Sequence, residues 1–365
     1  MYCSNIELKN RKYLDYTCEH IKQFIKIYCP IQYFLDNSTN KKYIYNKLTN
    51  KKKTLLYVIN FKYYLFKMSR IRIWIIKSFY KLHNISLFIT GLHWYNYNNS
   101  KTLLENINSM GITPDYIIWY KPLEYDCSGI HCCKCIIYNE MWDVSYTTNE
   151  ILKSNSNIII CHHLKDYDFY KGHLKQYSNI KCLYIPHHSN PRIFYNMNYT
   201  RHIDILISGI TTDQHYPLKS RLVTIIQKYK NSILKNYTIY HHIHPGYQDT
   251  IAFDDNNQKT YNKLINQSKI CICCSSKYKY RLAKYIEIPM SGGIICGDIP
   301  YKDNETFSKF IIEVNMNMSD LQIAQLLHNH LSNQALLKKK QTLGETWAKQ
   351  YTLDKYATLF YNNIL

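Results

Sequence analysis

Glycine is scarce in this chain, with 10 among 365 residues, and that scarcity removes several ligand motifs at once. No G-x-G-x-x-G occurs, which excludes the usual dinucleotide fingerprint. Gly292 and Gly297 stand at P-loop spacing, but Asp298 follows where Lys is required, which excludes a P-loop NTPase. H-E-x-x-H and G-x-S-x-G are absent as well. Long apolar runs are missing: Ile71-Arg72-Ile73-Trp74-Ile75-Ile76-Lys77 is interrupted by charge and falls far short of the roughly 18 residues a membrane-spanning helix needs. The opening Met1-Tyr2-Cys3-Ser4 leads into polar residues with no signal-peptide pattern, so a soluble, cytoplasmic protein without a transmembrane segment is expected. In that compartment the 13 cysteines are expected to be free thiols.

Acidic residues are also few, 26 against 46 Lys and Arg, which leaves a net charge of +20. Lys, Asn, Ile and 37 Tyr dominate, residues whose codons are all rich in A and T, so an A/T-biased genome, that of a large DNA virus or of a low-GC organism, would produce such a composition without selection for any partner. The basic field favours anionic ligands, nucleotides or nucleic acid. A hydrophobic fraction of 46% excludes a disordered chain, and the length suggests two domains.

Residues 1–53 read as a basic N-terminal extension, either a solvated face or an arm for membrane surface or nucleic acid. From residue 54 short β-branched runs alternate with amphipathic stretches. Strands are expected at Leu55–Asn60, Ile85–Ile89, Tyr116–Tyr120, Cys135–Tyr138, Ile158–Cys161 and Cys182–Ile185, with helices including 101–110, 148–154 and 166–177. After the turn-rich Pro186-His187-His188-Ser189-Asn190-Pro191 the grammar restarts. Strands are expected at Ile203–Gly209, Tyr237–Ile243, Ile270–Cys273, Gly293–Cys296 and Phe310–Val314, and helices at 219–230, 260–267, 280–290, 320–341 and 344–360. The predicted fold class is therefore α/β, two Rossmann-like domains with parallel sheets, residues 54–195 and 196–365, with a cleft between them as the default site.

Cys127, Cys132, Cys133 and Cys135 surround His131, but their spacing lacks two separated C-x2-C pairs, and Cys135 begins a buried strand; no metal site is expected. The pairs His162-His163, His187-His188 and His241-His242 close predicted strands, where each histidine is either a hydrogen-bonded loop residue or a cleft-lining one. The most informative stretch is Tyr280-Arg281-Leu282-Ala283-Lys284-Tyr285-Ile286-Glu287-Ile288-Pro289-Met290-Ser291-Gly292-Gly293, followed by the apolar strand Ile294-Ile295-Cys296. Basic side chains at its start are suited to a diphosphate and Glu287 to ribose hydroxyls, while the alternative is an exposed salt-bridged helix.

This stretch resembles the donor half of nucleotide-sugar glycosyltransferases of the two-Rossmann-domain (GT-B) type, in particular the group 1 and CgeB-like families. Tyr184 to Phe194 is similar to their interdomain P-x-G-x-D-x-x-x-F segment, Asp204 to Gly209 to the first donor-domain strand, and Tyr216 to Arg221 to the basic helix start that follows. The likeness covers roughly residues 54 to 365, and one departure is plain: retaining group 1 enzymes often carry two Glu eight positions apart, and here the second is Glu287 while position 279, that of the first, is Lys, which leaves retention and inversion both open.

The resemblance implies a nucleoside-diphosphate sugar as substrate, no cofactor, and a glycan or protein acceptor, with the last helix crossing back to the first domain. It assigns Glu287 to the donor ribose and Arg221, Arg281 and Lys284 to the diphosphate, with Gly209, Lys219, His244, Tyr280, Gly292 and Gly293 completing the donor set. Asn139-Glu140-Met141-Trp142-Asp143 is the candidate acceptor loop, with Asp143 or Glu140 as base. Two competing functions are a nucleic-acid-binding protein using Lys, Arg and Tyr, for which no sequence signature exists, and a GT-B-type fold that has lost catalysis.

Overall fold

The structure, a computed structural model, describes residues 52–61, 70–82, 84–94, 96–177, 179–243 and 255–365. Nearly all of the basic extension at 1–53, and His244, lie outside the described residues.

The first sheet is built from β1 (Lys53–Val58), β2 (Ile85–Thr90), β3 (Tyr116–Trp119), β4 (Cys133–Tyr138), β5 (Ile158–Cys161) and β6 (Lys181–Tyr184). All its strands are parallel, in the order β2-β1-β3-β4-β5-β6. Helices α1 (Arg70–Phe79), α2 (Leu103–Ser109), α3 (Val144–Lys153) and α4 (Leu164–His173) connect them. β1, β2 and β5 are buried on both faces: in β1, Leu55 and Tyr57 enter one core cluster and Leu56 and Val58 another. Such near-continuous apolar runs are what helix-covered parallel sheets require.

The second sheet contains β7 (Ile203–Ser208), β8 (Ile239–His242), β9 (Ser268–Ile272), β10 (Ile294–Gly297) and β11 (Ile312–Glu313), again all parallel, in the order β11-β10-β9-β7-β8. Its helices are α5 (Pro217–Tyr229), α6 (Asn256–Asn266), α7 (Lys284–Met290), α8 (Asn304–Phe307), α9 (Asp320–Ser332), α10 (Gln334–Ala348) and α11 (Leu353–Ile364). The expected α/β class with two parallel sheets is what the chain adopts.

Several element readings need correction. Helix 320–341 is interrupted at Asn333, whose side chain leaves the first helix and accepts a hydrogen bond from the Leu336 amide to start the next. The closing helix does not run over 344–360: Gly344 belongs to α10, and residues 349–352 break away so that Ser189 bonds the backbone of Tyr351 and Leu353. α11 then packs on α1, with the Phe360 and Phe79 ring centroids 4.5 Å apart and Lys81 paired with Asp354 at 2.5 Å. α3 starts at Val144, earlier than expected, because Asp143 caps it.

Candidate active site

In each sheet the strand order reverses beside its first strand, and ligands of open α/β sheets bind beyond the carboxyl ends of the strands at that point. In the second sheet the reversal lies between β7 and β8 on one side and β9 on the other. Gly209 follows β7 there with φ +78°, a conformation costly for any residue with a Cβ, and a Cβ would collide with the Lys284 ammonium and lie 3.3 Å from that of Lys219. Two lysines thus converge on one glycine.

Lys219, one turn into α5, is 4% exposed, and its ammonium donates to the Ser208 carbonyl. Burial, reinforced by the Lys284 charge, pushes its pKa down to about 7. Lys284 opens α7 with its ammonium 4.9 Å from the Tyr261 ring centroid. Neither lysine has an ion pair among the described residues. Glu287, in the first turn of α7, is half-buried and likewise unpaired; burial pushes its carboxyl up to about 7 against the opposing charge of Lys284. The arrangement therefore carries uncompensated positive charge and one poised carboxyl at a backbone that approaches closely.

The opposite wall comes from the first sheet. Its β4–α3 loop carries Glu140, open to solvent, whose carboxyl pKa is raised by the surrounding protein and lowered by His215 and Arg72. Trp142, 53% exposed, lies 6.1 Å from Tyr278 of the other unit with rings near parallel. From Tyr278 a ladder continues through Tyr280 to His163, whose ring stacks on Tyr280 at 4.0 Å. His163 is 1% exposed; no hydrogen bond of ordinary geometry reaches either ring nitrogen, although the backbone of Asn139 and Arg281 lies against it. Burial, with the Arg281 charge, pushes it down to about 3, so the ring is neutral. Behind it, His162 and His187 share a hydrogen bond of 2.9 Å between their Nδ1 atoms, and both are held neutral by burial. The histidine pairs at 162–163 and 187–188 are thus buried at the junction between the sheets.

Other expected site residues go elsewhere. Arg221 donates to the carbonyls of Met316 and Met318 and pairs with Asp320 at 3.0 Å, tying α5 to the start of α9. Arg281 is not on a helix with Lys284, because 279–283 form a loop in which Lys279 takes φ +60°. The Arg281 guanidinium instead turns into the junction, against the Tyr184 hydroxyl, Asp303 at 3.6 Å and the Tyr351 ring at 5.2 Å. Lys279 pairs with buried Asp298 at 2.7 Å. Tyr280 faces Asp166, not the lysines. Gly292 and Gly293 follow α7 and precede β10, so seven helical residues, about 10 Å, separate them from the lysine end. At Gly292 a Cβ would meet Arg201 and Asn196. Asp143 is occupied as the cap of α3, accepting from the Tyr146 amide at 2.9 Å.

Among the described residues no group of three or more His, Cys, Asp or Glu side chains is arranged to hold a metal ion, and the described cysteines are all free. No helix among them is long and apolar enough to cross a membrane. His163 was visible in the sequence only as one of a pair; the signal that singles it out, two unpartnered nitrogens in a buried ring, is three-dimensional.

No family model matches the chain, and no curated protein sequence matches it. Solved structures do. Sucrose-phosphate synthase from Thermosynechococcus elongatus aligns with a TM-score of 0.55 at 9% identity, covering 85% of this chain and 98% of the other. A glycosyltransferase from Rickettsia africae aligns at 0.53 with 16% identity over 85% of this chain and 97% of its own. Anabaena HepE in complex with UDP aligns at 0.55 with 7% identity over 86% and 99%. The fold is that of GT-B glycosyltransferases, with two Rossmann-like units.

Proposed function

We propose that this protein is a glycosyltransferase that transfers a sugar from a nucleoside diphosphate to a glycan or protein acceptor. The observation that carries the reading is the convergence of Lys219 and Lys284 on Gly209 at the strand-order reversal of the second sheet, without an ion pair to neutralise them. When a glycosidic bond to a diphosphate breaks, negative charge develops on the departing phosphate oxygens. Cations already in place at that point stabilise the transition state more than the ground state. Lys219, with a pKa lowered to about 7, is partly deprotonated near neutral pH and becomes fully protonated as the diphosphate arrives.

Glu287, one turn from Lys284, accepts the ribose hydroxyls. Glu140 is the better placed of the two acceptor-loop carboxylates to receive the acceptor proton, because Asp143 is committed to its helix cap. With two lysines at the leaving group the reaction is proposed to run without a metal or other cofactor. The resemblance to HepE, whose structures contain UDP and, in one, glucose as well, supports the same substrate class.

A thermal-shift panel of UDP, GDP, CDP, ADP and dTDP, with and without Mg2+ or Mn2+, tests the reading. At least one diphosphate is expected to raise the melting temperature, equally with and without EDTA. No stabilisation by any of them would refute it, and stabilisation without sugar hydrolysis or transfer would assign a binding role to the same cleft.

A further inference from the structure

We propose that Arg72 forms an oxyanion-recognising subsite on the acceptor side of the cleft, so that the acceptor carries a phosphate or carboxylate group. The proposal rests on the glycosyltransferase reading for the word acceptor, but its geometry belongs to the first sheet alone. There the strand order reverses between β1 and β3. A small notch opens at that point, lined by Tyr57 of β1, Ile118 and Trp119 of β3, Tyr120 and Ile137, and Arg72 enters it from the first turn of α1. The same topological rule that places a ligand at Gly209 places one here.

The Arg72 guanidinium carbon sits 3.7 Å from the centre of the Tyr120 ring. Its Nε is buried and has no hydrogen-bond partner, and the side chain makes no ion pair or hydrogen bond among the described residues. A guanidinium has five N–H donors in one plane; an aromatic ring against its face leaves that edge for a planar or tetrahedral oxyanion. A cation whose donors are withdrawn from water without a carboxylate is costly to keep, and other arginines here have one or more carbonyl or carboxylate partners: Arg221 two carbonyls and Asp320, Arg201 the carbonyls of Ile265 and Ser268, and Arg281, whose Nε is likewise unpartnered, Asp303 at 3.6 Å. Arg72 differs from these three in having neither, and it lies where the strand order reverses.

The notch also communicates with the transfer site. The charges acting on the Glu140 carboxyl are those of His215, across the cleft, and Arg72, and Arg72 also acts on His162. An acceptor anchored by its anion on Arg72 therefore lies along the wall that carries Glu140. Arg72 lowers the Glu140 carboxyl through space, with no ion pair between the two among the described residues.

The test is calorimetric titration of the full-length protein, pre-saturated with UDP, with glucose 6-phosphate, glucuronate and glucose. At least one charged sugar is expected to bind tenfold or more tightly than glucose, the better of the two identifying phosphate or carboxylate. Arg72→Met and Arg72→Gln, whichever folds by circular dichroism, should erase that preference and leave UDP affinity unchanged. Lys284→Ala should weaken UDP and keep the preference. Equal binding of charged and neutral sugars to the unmodified protein would overturn the proposal, as would a preference that survives in a folded Arg72 variant. If UDP does not bind at all, the glycosyltransferase reading fails separately, and the charged-sugar titration without UDP still reports on Arg72.

Discussion

Tyr280 and Asp166 join the two halves of the molecule through one buried hydrogen bond: the phenol of the segment after β9 donates to Oδ1 of the α4 carboxylate at 2.7 Å. The other oxygen, Oδ2, accepts from the Met141 amide of the acceptor loop at 3.1 Å. Burial raises the Asp166 carboxyl to about 6 in spite of both donors, and it raises the Tyr280 phenol as well. One carboxylate therefore positions both the loop that carries Glu140 and the residue stacked on His163.

Replacing Tyr280 with Phe removes one of the two donors and leaves a buried carboxylate half-satisfied. A loss of about 1 to 3 kcal/mol is expected when Asp166 is ionised. Below pH 6 the carboxyl is protonated, the bond to it is no longer charge-assisted, and the loss shrinks. Urea unfolding at pH 7.5 and pH 5 reads both quantities; a Tyr280→Phe protein equally stable at the two values relative to the parent would remove this role.

Lys219 makes nucleotide binding pH-dependent. Its pKa is lowered from 10.5 to about 7, so the unfolded chain binds more protons than the folded one between those values, and its contribution to stability rises with pH across that window. Binding has the opposite sense. A diphosphate beside Lys219 restores the ammonium, so affinity should fall as pH rises above 7, with proton uptake at pH 8. Calorimetry in two buffers of different ionisation enthalpy checks this, and identical apparent enthalpies would contradict it.

The strands were the readable part of the fold, because a parallel strand covered on both faces must be apolar throughout; the run Ile158–Cys161 coincides with β5 to the residue. Helix ends were less readable. Nothing in composition separates Asn333 within a long polar helix from Asn333 as the cap of a second one. Charge was the weakest guide to the site. Arg221 and Lys219 stand two residues apart on one helix, and only the packing of α5 sends Lys219 toward Gly209 and Arg221 toward Asp320. Arg281 is equally basic, yet the left-handed Lys279 ends the strand exit in a loop that turns the guanidinium into the junction.

That divergence is measurable. Arg221→Ala removes hydrogen bonds to two carbonyls and an ion pair that is partly open to water, and is expected to cost about 1 to 2 kcal/mol of stability with nucleotide affinity unchanged. Differential scanning calorimetry and nucleotide titration on the same preparation separate the two effects. A tenfold loss of affinity in Arg221→Ala would return this residue to the donor site.

Glu287 provides the sharpest contrast between a binding and a structural role. An exposed helix with a salt bridge from Glu287 to Lys284 or Arg281 was one way to read the sequence, but no such ion pair forms among the described residues, and Arg281 is held by Tyr184 and Asp303. The carboxyl is raised from 4.5 to about 7, so its ionisation is disfavoured in the folded state, and the stability present below pH 4.5 is lost as pH rises through 7. Glu287→Ala should consequently leave the protein at least as stable at pH 8. Nucleotide binding should respond in the other direction: hydrogen bonds from ribose hydroxyls to an ionised carboxylate contribute about 1.5 to 3 kcal/mol, and their loss lowers affinity at least tenfold. The corresponding 2′,3′-dideoxy nucleotide should bind the parent and Glu287→Ala proteins equally, since it offers no hydroxyl to either. Unchanged affinity for the intact nucleotide in a folded Glu287→Ala protein would take this carboxylate out of the site and leave the lysine pair as the only argument for it.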